Sequence, residues 1–286
     1  DGEYFIEYYS IDCAGNHEAI KSALFKIDTT PPEQPKDITI SPTAWTNNNS
    51  FSIDWNSPND TAGIEGAWYK IGAMPANNQD GTFTYQKPFV VSAPADGSYA
   101  VYVWLQDKAE NANYQFSATA YIKLDTTIPQ TTLLKTGTHG NENWYISEVT
   151  VEFSVLDMDS GLKATYYSFE NSEYQLYTSA FNIIEDGIYS IKYYSIDNAG
   201  NTELETTVDI KIDKKKPTTN ATEEGVFGNA DWFTSNVTVV LNSYDEISGI
   251  SACDWSINNT DYQQYTAPII LSQEGAHTIR YYSADT

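Results

Sequence analysis

The groups in this sequence that could do chemistry are carboxylates, and they recur at fixed places. The stretch DGIYSIKYYSIDNAGN, Asp186 to Asn201, returns as DGEYFIEYYSIDCAGN at Asp1 to Asn16 and as DGSYAVYVWLQDKAEN at Asp96 to Asn111, and once more as EGAHTIRYYSADT from Glu274. Aligned on the Asp of their last third, the copies place Asp12, Asp107, Asp197 and Asp285 at a period of roughly 90 residues. A second set, Asp28, Asp125 and Asp213, follows FKI, IKL and IKI, and each is succeeded by a proline-containing junction. A third set sits in polar loops: Asp60, Asp157 with Asp159, and Asp245 with Glu246. Flexible, oxygen-rich loops of this kind suit Ca²⁺, which takes about six to eight oxygen ligands at roughly 2.3–2.6 Å. Asp and Asn also cap turns through side-chain-to-backbone bonds. Spacing alone leaves both readings open, since none of the loops has the EF-hand plan.

Other chemistries find less support. Asp157 and Asp159 share one loop without a basic partner, so they make a poor catalytic pair. His17, His139 and His277 fall at unrelated repeat positions, which gives neither a zinc site nor a Ser/His/Asp triad. No glycine-rich phosphate loop is present, and the expectation is a protein that is not an enzyme. With 15 basic against 39 acidic residues the formal net charge is −24. That sign repels nucleic acid and anionic membrane surfaces, and suits either a soluble, non-sticking surface or one that collects divalent cations. No apolar run approaches the ~18 residues of a membrane helix, so no membrane insertion is expected in this segment. Cys13 and Cys253 do not form the paired framework of a disulfide-stapled domain. Asn-x-Ser/Thr sequons at Asn48, Asn59, Asn220, Asn236 and Asn258 permit N-glycosylation without establishing it.

The elements that must hold these carboxylates are strands. Asp/Glu-Gly is a turn signal, and the alternation behind it predicts a strand with one buried face. Tyr189, Ile191 and Tyr193 share the inner side, matched by Tyr4, Ile6, Tyr8 and by Tyr99, Val101, Val103. Ser190, Lys192 and Tyr194 face outward. Asp-x-Ala-Gly-Asn closes the strand in a tight loop, because Gly tolerates positive φ and Asp and Asn bond back to nearby amides. Glu110 stands where that Gly is expected. Val149, Val151, Phe153 and Val155 predict another strand, and turn signals recur every 8 to 12 residues or so. The aromatic residues at one outer position, Tyr9, Trp104, Tyr194 and Tyr282, could cover an inter-domain or inter-chain contact or support a half-exposed sheet. The loop Ala73 to Gly81 shows no chemistry of its own.

This pattern predicts an all-β protein of tandem immunoglobulin-like antiparallel β-sandwiches arranged end to end. A Tyr two residues after the turn Gly resembles the tyrosine corner of that fold, with His277 in its place in the last copy. Residues 1–28 are read as the C-terminal strands of a preceding repeat. Residues 29–125 form an immunoglobulin/fibronectin-III-like domain, with Trp55 where such modules keep their core Trp. Residues 126–213 form an immunoglobulin-like domain, and residues 214–286 one lacking its last strand, as in a piece cut from a longer protein. The DGxYxIxYYSxDxAGN and IDxTxP elements resemble the repeat modules of bacterial and archaeal surface proteins. The resemblance implies that the loops between strands two and three and between strands six and seven meet the domain's entry point. The metal candidates then gather as Asp28, Asp60 and Asp107; as Asp125, Asp157, Asp159, Asp197 and Asn201; and as Asp213, Asp245, Glu246 and Asp285. Calcium there would lock adjacent domains. The function implied is structural: an extracellular or cell-surface segment of a filament, surface layer or adhesin stalk. Its expected partners are its own copies, other surface proteins, or glycans. The alternatives are a carbohydrate- or receptor-binding stalk and spacer modules of a secreted hydrolase.

Overall fold

The computed structural model describes residues 1–285. Among them strands dominate, a single 3-10 turn spans Tyr114–Phe116, and no helix is long and apolar enough to cross a membrane. Packing divides the chain into two compact units. One holds Asp1–Pro129 with Leu156–Lys163 and Ile196–Glu203, and the other holds Gln130–Val155, Ala164–Ser195 and the chain from Leu204 on.

In the first unit, β1 (Gly2–Tyr8) and β2 (Lys21–Ile27) pair antiparallel, Tyr4 opposite Phe25 and Ile6 opposite Ala23. Tyr4, Ile6 and Tyr8 form the expected inner row, yet no second sheet covers it and they stay about half exposed. Seven strands follow. They are β3 (Lys36–Ser41), β4 (Phe51–Asn56), β5 (Ile64–Ile71), β6 (Thr82–Thr84), β7 (Phe89–Val91), β8 (Gly97–Asp107) and β9 (Ala118–Leu124). Sheets of order β3-β4-β7 and β6-β5-β8-β9 enclose a core of Phe51, Ile53, Trp55, Val101, Val103 and Ile122. Alternation makes this possible: every second residue of β4 and β8 faces the same side. Trp55 packs edge-on against Phe89 at 5.9 Å.

The outer face of that second sheet corrects the reading of Trp104 and gives the 73–81 loop a packing role. Trp104 is fully buried. It stacks on Trp68 at 6.3 Å, and its Nε1 donates to the Asn78 carbonyl at 3.0 Å. The loop is therefore a lid on an aromatic pair. Its counterpart positions differ, because Tyr194 stacks on Tyr166 at 5.4 Å while Tyr9 and Tyr282 remain exposed.

The strands that follow repeat the plan. They are β10 (Gln130–Thr136), β11 (Trp144–Tyr145), β12 (Val149–Leu156), β13 (Leu162–Phe169), β14 (Gln175–Leu176), β15 (Phe181–Ile183), β16 (Gly187–Asp197) and β17 (Thr206–Ile212). The sheets run β10-β12-β15 and β11-β17-β16-β13-β14. Val149, Val151, Phe153, Ile191, Tyr193, Ile210 and Ile212 fill the space between them. A third set comprises β18 (Thr218–Glu224), β19 (Val237–Tyr244), β20 (Ile250–Ile257), β21 (Gln263–Gln264), β22 (Ile269–Leu271) and β23 (Ile279–Asp285). Its sheets are β18-β19-β22 and β21-β20-β23, around Val239, Leu241 and Ile269. The strand order is that of immunoglobulin-like sandwiches, most plainly in the first set, where three strands face a sheet in which the sixth strand, β8, lies between the third, β5, and the seventh, β9.

The corner residues behave as their position implies. Tyr189 Oη donates to the Glu185 carbonyl at 3.0 Å, and Tyr99 Oη to that of Asp96 at 3.2 Å. His277 serves the same end with a ring nitrogen: Nε2 lies 2.9 Å from the Gln273 carbonyl, and Nδ1 lies 3.1 Å from Asn258 Nδ2. A carbonyl on one side and an amide NH₂ on the other suit the neutral ring protonated at Nε2.

Candidate metal centre and the junction aspartates

Each carboxylate site is built from a strand end, a tight loop and a junction. At the end of β16, Asp197 Oδ1 accepts from the amides of Gly200 and Asn201 at 2.7 and 2.8 Å. Its Oδ2 accepts from Asn201 Nδ2 at 2.8 Å. Asp107 and Asp12 do the same with Asn111 and Asn16. Positive φ is required at the third loop residue, 85° at Gly15 and 95° at Gly200, and Glu110 keeps it at 68° despite its Cβ.

The junction aspartates share a second pattern. Oδ1 of Asp28, Asp125 and Asp213 accepts from the amide two residues on, at 3.2, 3.0 and 3.1 Å. Oδ2 reaches the loop after the next second-sheet-facing strand, taking the amide of Ala62 at 2.7 Å, Ser160 at 3.1 Å and Ser248 at 3.0 Å. The carbonyls of Asp28 and Asp125 also accept from Asn111 and Asn201 Nδ2, at 3.0 and 2.8 Å.

These bonds bring together three of the predicted groups. One carboxylate oxygen from each of Asp28, Asp60 and Asp107 lies within 4.8 Å of the other two, and the same holds for Asp125, Asp157 and Asp197, and for Asp213, Asp245 and Asp285. The first two trios belong to the first unit and the third to the second unit. Of the remaining predicted members, two fall elsewhere and one stays at the site. Asp159, itself exposed, joins neither Asp157 nor Asp197; it groups instead with Asp96 and with Asp125, which both trios share. Glu246 points to solvent and pairs with Lys215 at 3.1 Å. Asn201 turns its nitrogen toward the carboxylates, because two acceptors, Asp197 Oδ2 and the Asp125 carbonyl, must both be served. It is a clamp on the site, with its amide NH₂ already committed.

Electrostatics separate the three trios. Burial raises the pKa of Asp157, and the charges of Asp125 and Asp197 add to the effect against the bond from Gly161. Asp60 is raised by burial and then by Asp107 and Asp28. In Asp245 burial also pushes upward, but amides of Ile247, Gly249 and Ser248 outweigh it and the net shift is downward. Asp157 carries a further mark: its buried Oδ2 accepts no hydrogen bond. A buried carboxylate oxygen with no donor, facing two more carboxylates, has the composition of a hard-cation site. Asp125, Asp157 and Asp197 are the residues that fit Ca²⁺ best.

No family model matches the chain, and no curated protein matches it. Among solved structures, fibronectin(III)-like modules of Clostridium thermocellum CbhA match at 11% identity over 61% of this chain and 93% of theirs, with a TM-score of 0.31. The FN1-FN3 domains of chicken CNTN1 match at 11% identity over 90% and 94%, with a TM-score of 0.30. At those scores the fold assignment rests on strand order and core.

The sequence reading missed Asp96 and its equivalents. Asp96 accepts from the hydroxyls of Thr126 and Thr127 at 3.0 Å, Asp1 bonds the Thr29 amide at 3.0 Å, and Asp186 bonds the Lys214 amide at 3.1 Å. The signal was present as the Asp of each Asp-Gly turn, recurring with the same period as the junction that it ties.

Proposed function

We propose that residues 1–286 are a non-catalytic structural segment of an extracellular repeat protein from a prokaryotic cell surface. In this reading immunoglobulin-like modules at 29–125, 126–213 and 214–286 supply length in a filament, surface layer or adhesin stalk, and the partners are further copies or other surface proteins. The observation that carries it is the bonding pattern repeated at Asp28, Asp125 and Asp213. Three times the residue that leaves one strand set is tied to the loop of the next, an arrangement suited to a spacer in which each repeat leans on its neighbours. The acidic surface and the strand composition agree with it. Immunogold labelling of intact cells with antibody to this segment should decorate the surface as fibres, a lattice or stalks. Label that appears only after permeabilisation overturns the reading.

Calcium at Asp125, Asp157 and Asp197 belongs to the same proposal. Bound there, it would relieve the mutual repulsion of three carboxylates and supply the missing partner of Asp157 Oδ2. Melting curves at fixed ionic strength should shift upward with millimolar Ca²⁺ for the native chain and much less for Asp157→Asn. Equal response of the two proteins removes the metal from this site.

A further inference from the structure

The second sandwich carries a groove lined by aromatic rings. Tyr167 and Phe169 of β13 share one face of their strand, two residues apart, and line it together with Phe181 of β15 and Tyr189 of β16. The rings meet in two stacked pairs, Tyr167 with Phe181 at 4.8 Å and Phe169 with Tyr189 at 5.3 Å. Free volume in the groove is about 320 Å³, enough for a small ligand. All four rings belong to one compact unit. The fold does not require them. Register places Trp255, Ile257, Ile269 and His277 at the same four positions of the third sandwich, and Ile71 of the first stands where Phe169 does. Among the described residues, the second sandwich alone has aromatic carbocycles at all four.

The polar groups at its rim specify what fits. Asn182 Oδ1 accepts from Thr150 Oγ1 at 2.8 Å, which leaves the Asn182 NH₂ to donate elsewhere. Gln175 and Glu185 line the same groove, both exposed, and their side chains make no bond among the described residues. The groove therefore offers amide donors and a carboxylate acceptor beside aromatic carbon. A cation would use the acceptor and leave the amide donors idle. Lys214 already supplies positive charge at this end, bonded to the Ile184 carbonyl and 3.6 Å from Asp186. An acidic ligand would meet Glu185 and a chain of net charge −24. Neighbouring hydroxyls on a sugar use donors and acceptors alike, and the weakly positive C–H face of its ring suits the negative face of an aromatic ring.

We propose that this groove binds a neutral saccharide, with a sugar ring against Phe169 and Tyr189 and its hydroxyls held by Asn182, Gln175 and Glu185. The site goes beyond the spacer reading and does not rest on it. A spacer needs only the core and the junction bonds, and the first and third sandwiches have both without these rings.

Isothermal titration of the whole chain with hexasaccharides of β-1,4-linked glucose, mannose and N-acetylglucosamine reads this directly. At least one should bind saturably, with magnetisation transferred from aromatic protons of the protein to ring C–H protons of the sugar. Phe169→Ile installs the residue that the other two sandwiches carry there, so the fold is kept while affinity drops about tenfold. Glu185→Gln alters an exposed side chain and should weaken binding with the melting temperature unchanged. Failure of all three sugars to bind overturns the proposal, and so does an affinity that neither variant lowers. Binding of tetramethylammonium in place of the sugars would make the rings a cation cage and overturn the ligand class. Surface labelling of cells can succeed while every titration fails, so this proposal and the surface reading fall separately.

Discussion

At the scale of single residues, position in the repeat decides what a side chain does. Tyr189 reaches back to the Glu185 and Asp186 carbonyls, so Tyr189→Phe leaves a partly buried acceptor unserved. A loss of about 1 kcal/mol is expected in chemical denaturation, and no loss would separate the hydroxyl from the corner's stability. Asp157 gives a prediction of opposite sense. Its folded-state pKa is raised, so the native state holds more protons than the unfolded state between the two pKa values. Stability contributed by this group therefore falls as pH rises through that window, and at neutral pH the full cost is present. Asp157→Asn keeps an oxygen for the Gly161 amide and turns an NH₂ toward the other carboxylates. In chelator it should melt above the native chain at about pH 7, with the gap closing near pH 4, where the ordinary carboxylate titrates. A variant that melts lower at neutral pH would show that the third charge is not a liability. Asp12 supplies the contrast, since the Asn16 side chain lowers its pKa and its contribution is instead lost as pH falls.

At the scale of elements, alternation along the chain made the long strands legible, and short contacts between distant segments escaped. The face shared by Tyr189, Ile191 and Tyr193 could be read from period two alone. The two-residue strand Trp144–Tyr145 could not, because its pairing with Lys211–Ile212 leaves no periodicity behind. The acidic loops could be brought together on paper only through the expected topology. The structure does set carboxylate oxygens of Asp157 and Asp197 near one another, whereas Glu246 turns to Lys215. The lid over Trp104 was invisible because its fit depends on backbone approach. A Cβ on Gly81 would lie 2.6 Å from the Tyr69 carbonyl oxygen and 2.7 Å from Trp104 Cη2. Gly81→Ala must therefore push the lid outward, at about 1–3 kcal/mol for an overpacked contact. A lower melting temperature with red-shifted tryptophan emission is the expected readout, and an unchanged spectrum would mean that the loop does not seal the ring.

At the scale of the whole molecule, one plan is executed with unequal cores. Among the described residues the first cluster has thirteen buried members, the second nine and the third three. Each fully buried large apolar side chain contributes on the order of 1.5–3 kcal/mol. Similar strand counts thus conceal unequal burial, and among the described residues the third cluster is the smallest. Opening should accordingly be sequential. Hydrogen exchange under native conditions should release β18–β23 first, with β16 and β17 later and β4, β5 and β8 last, because local opening follows local burial. Calorimetry should show more than one transition, because cores of unequal size open independently. A single transition with uniform exchange would mean that the three cores open as one.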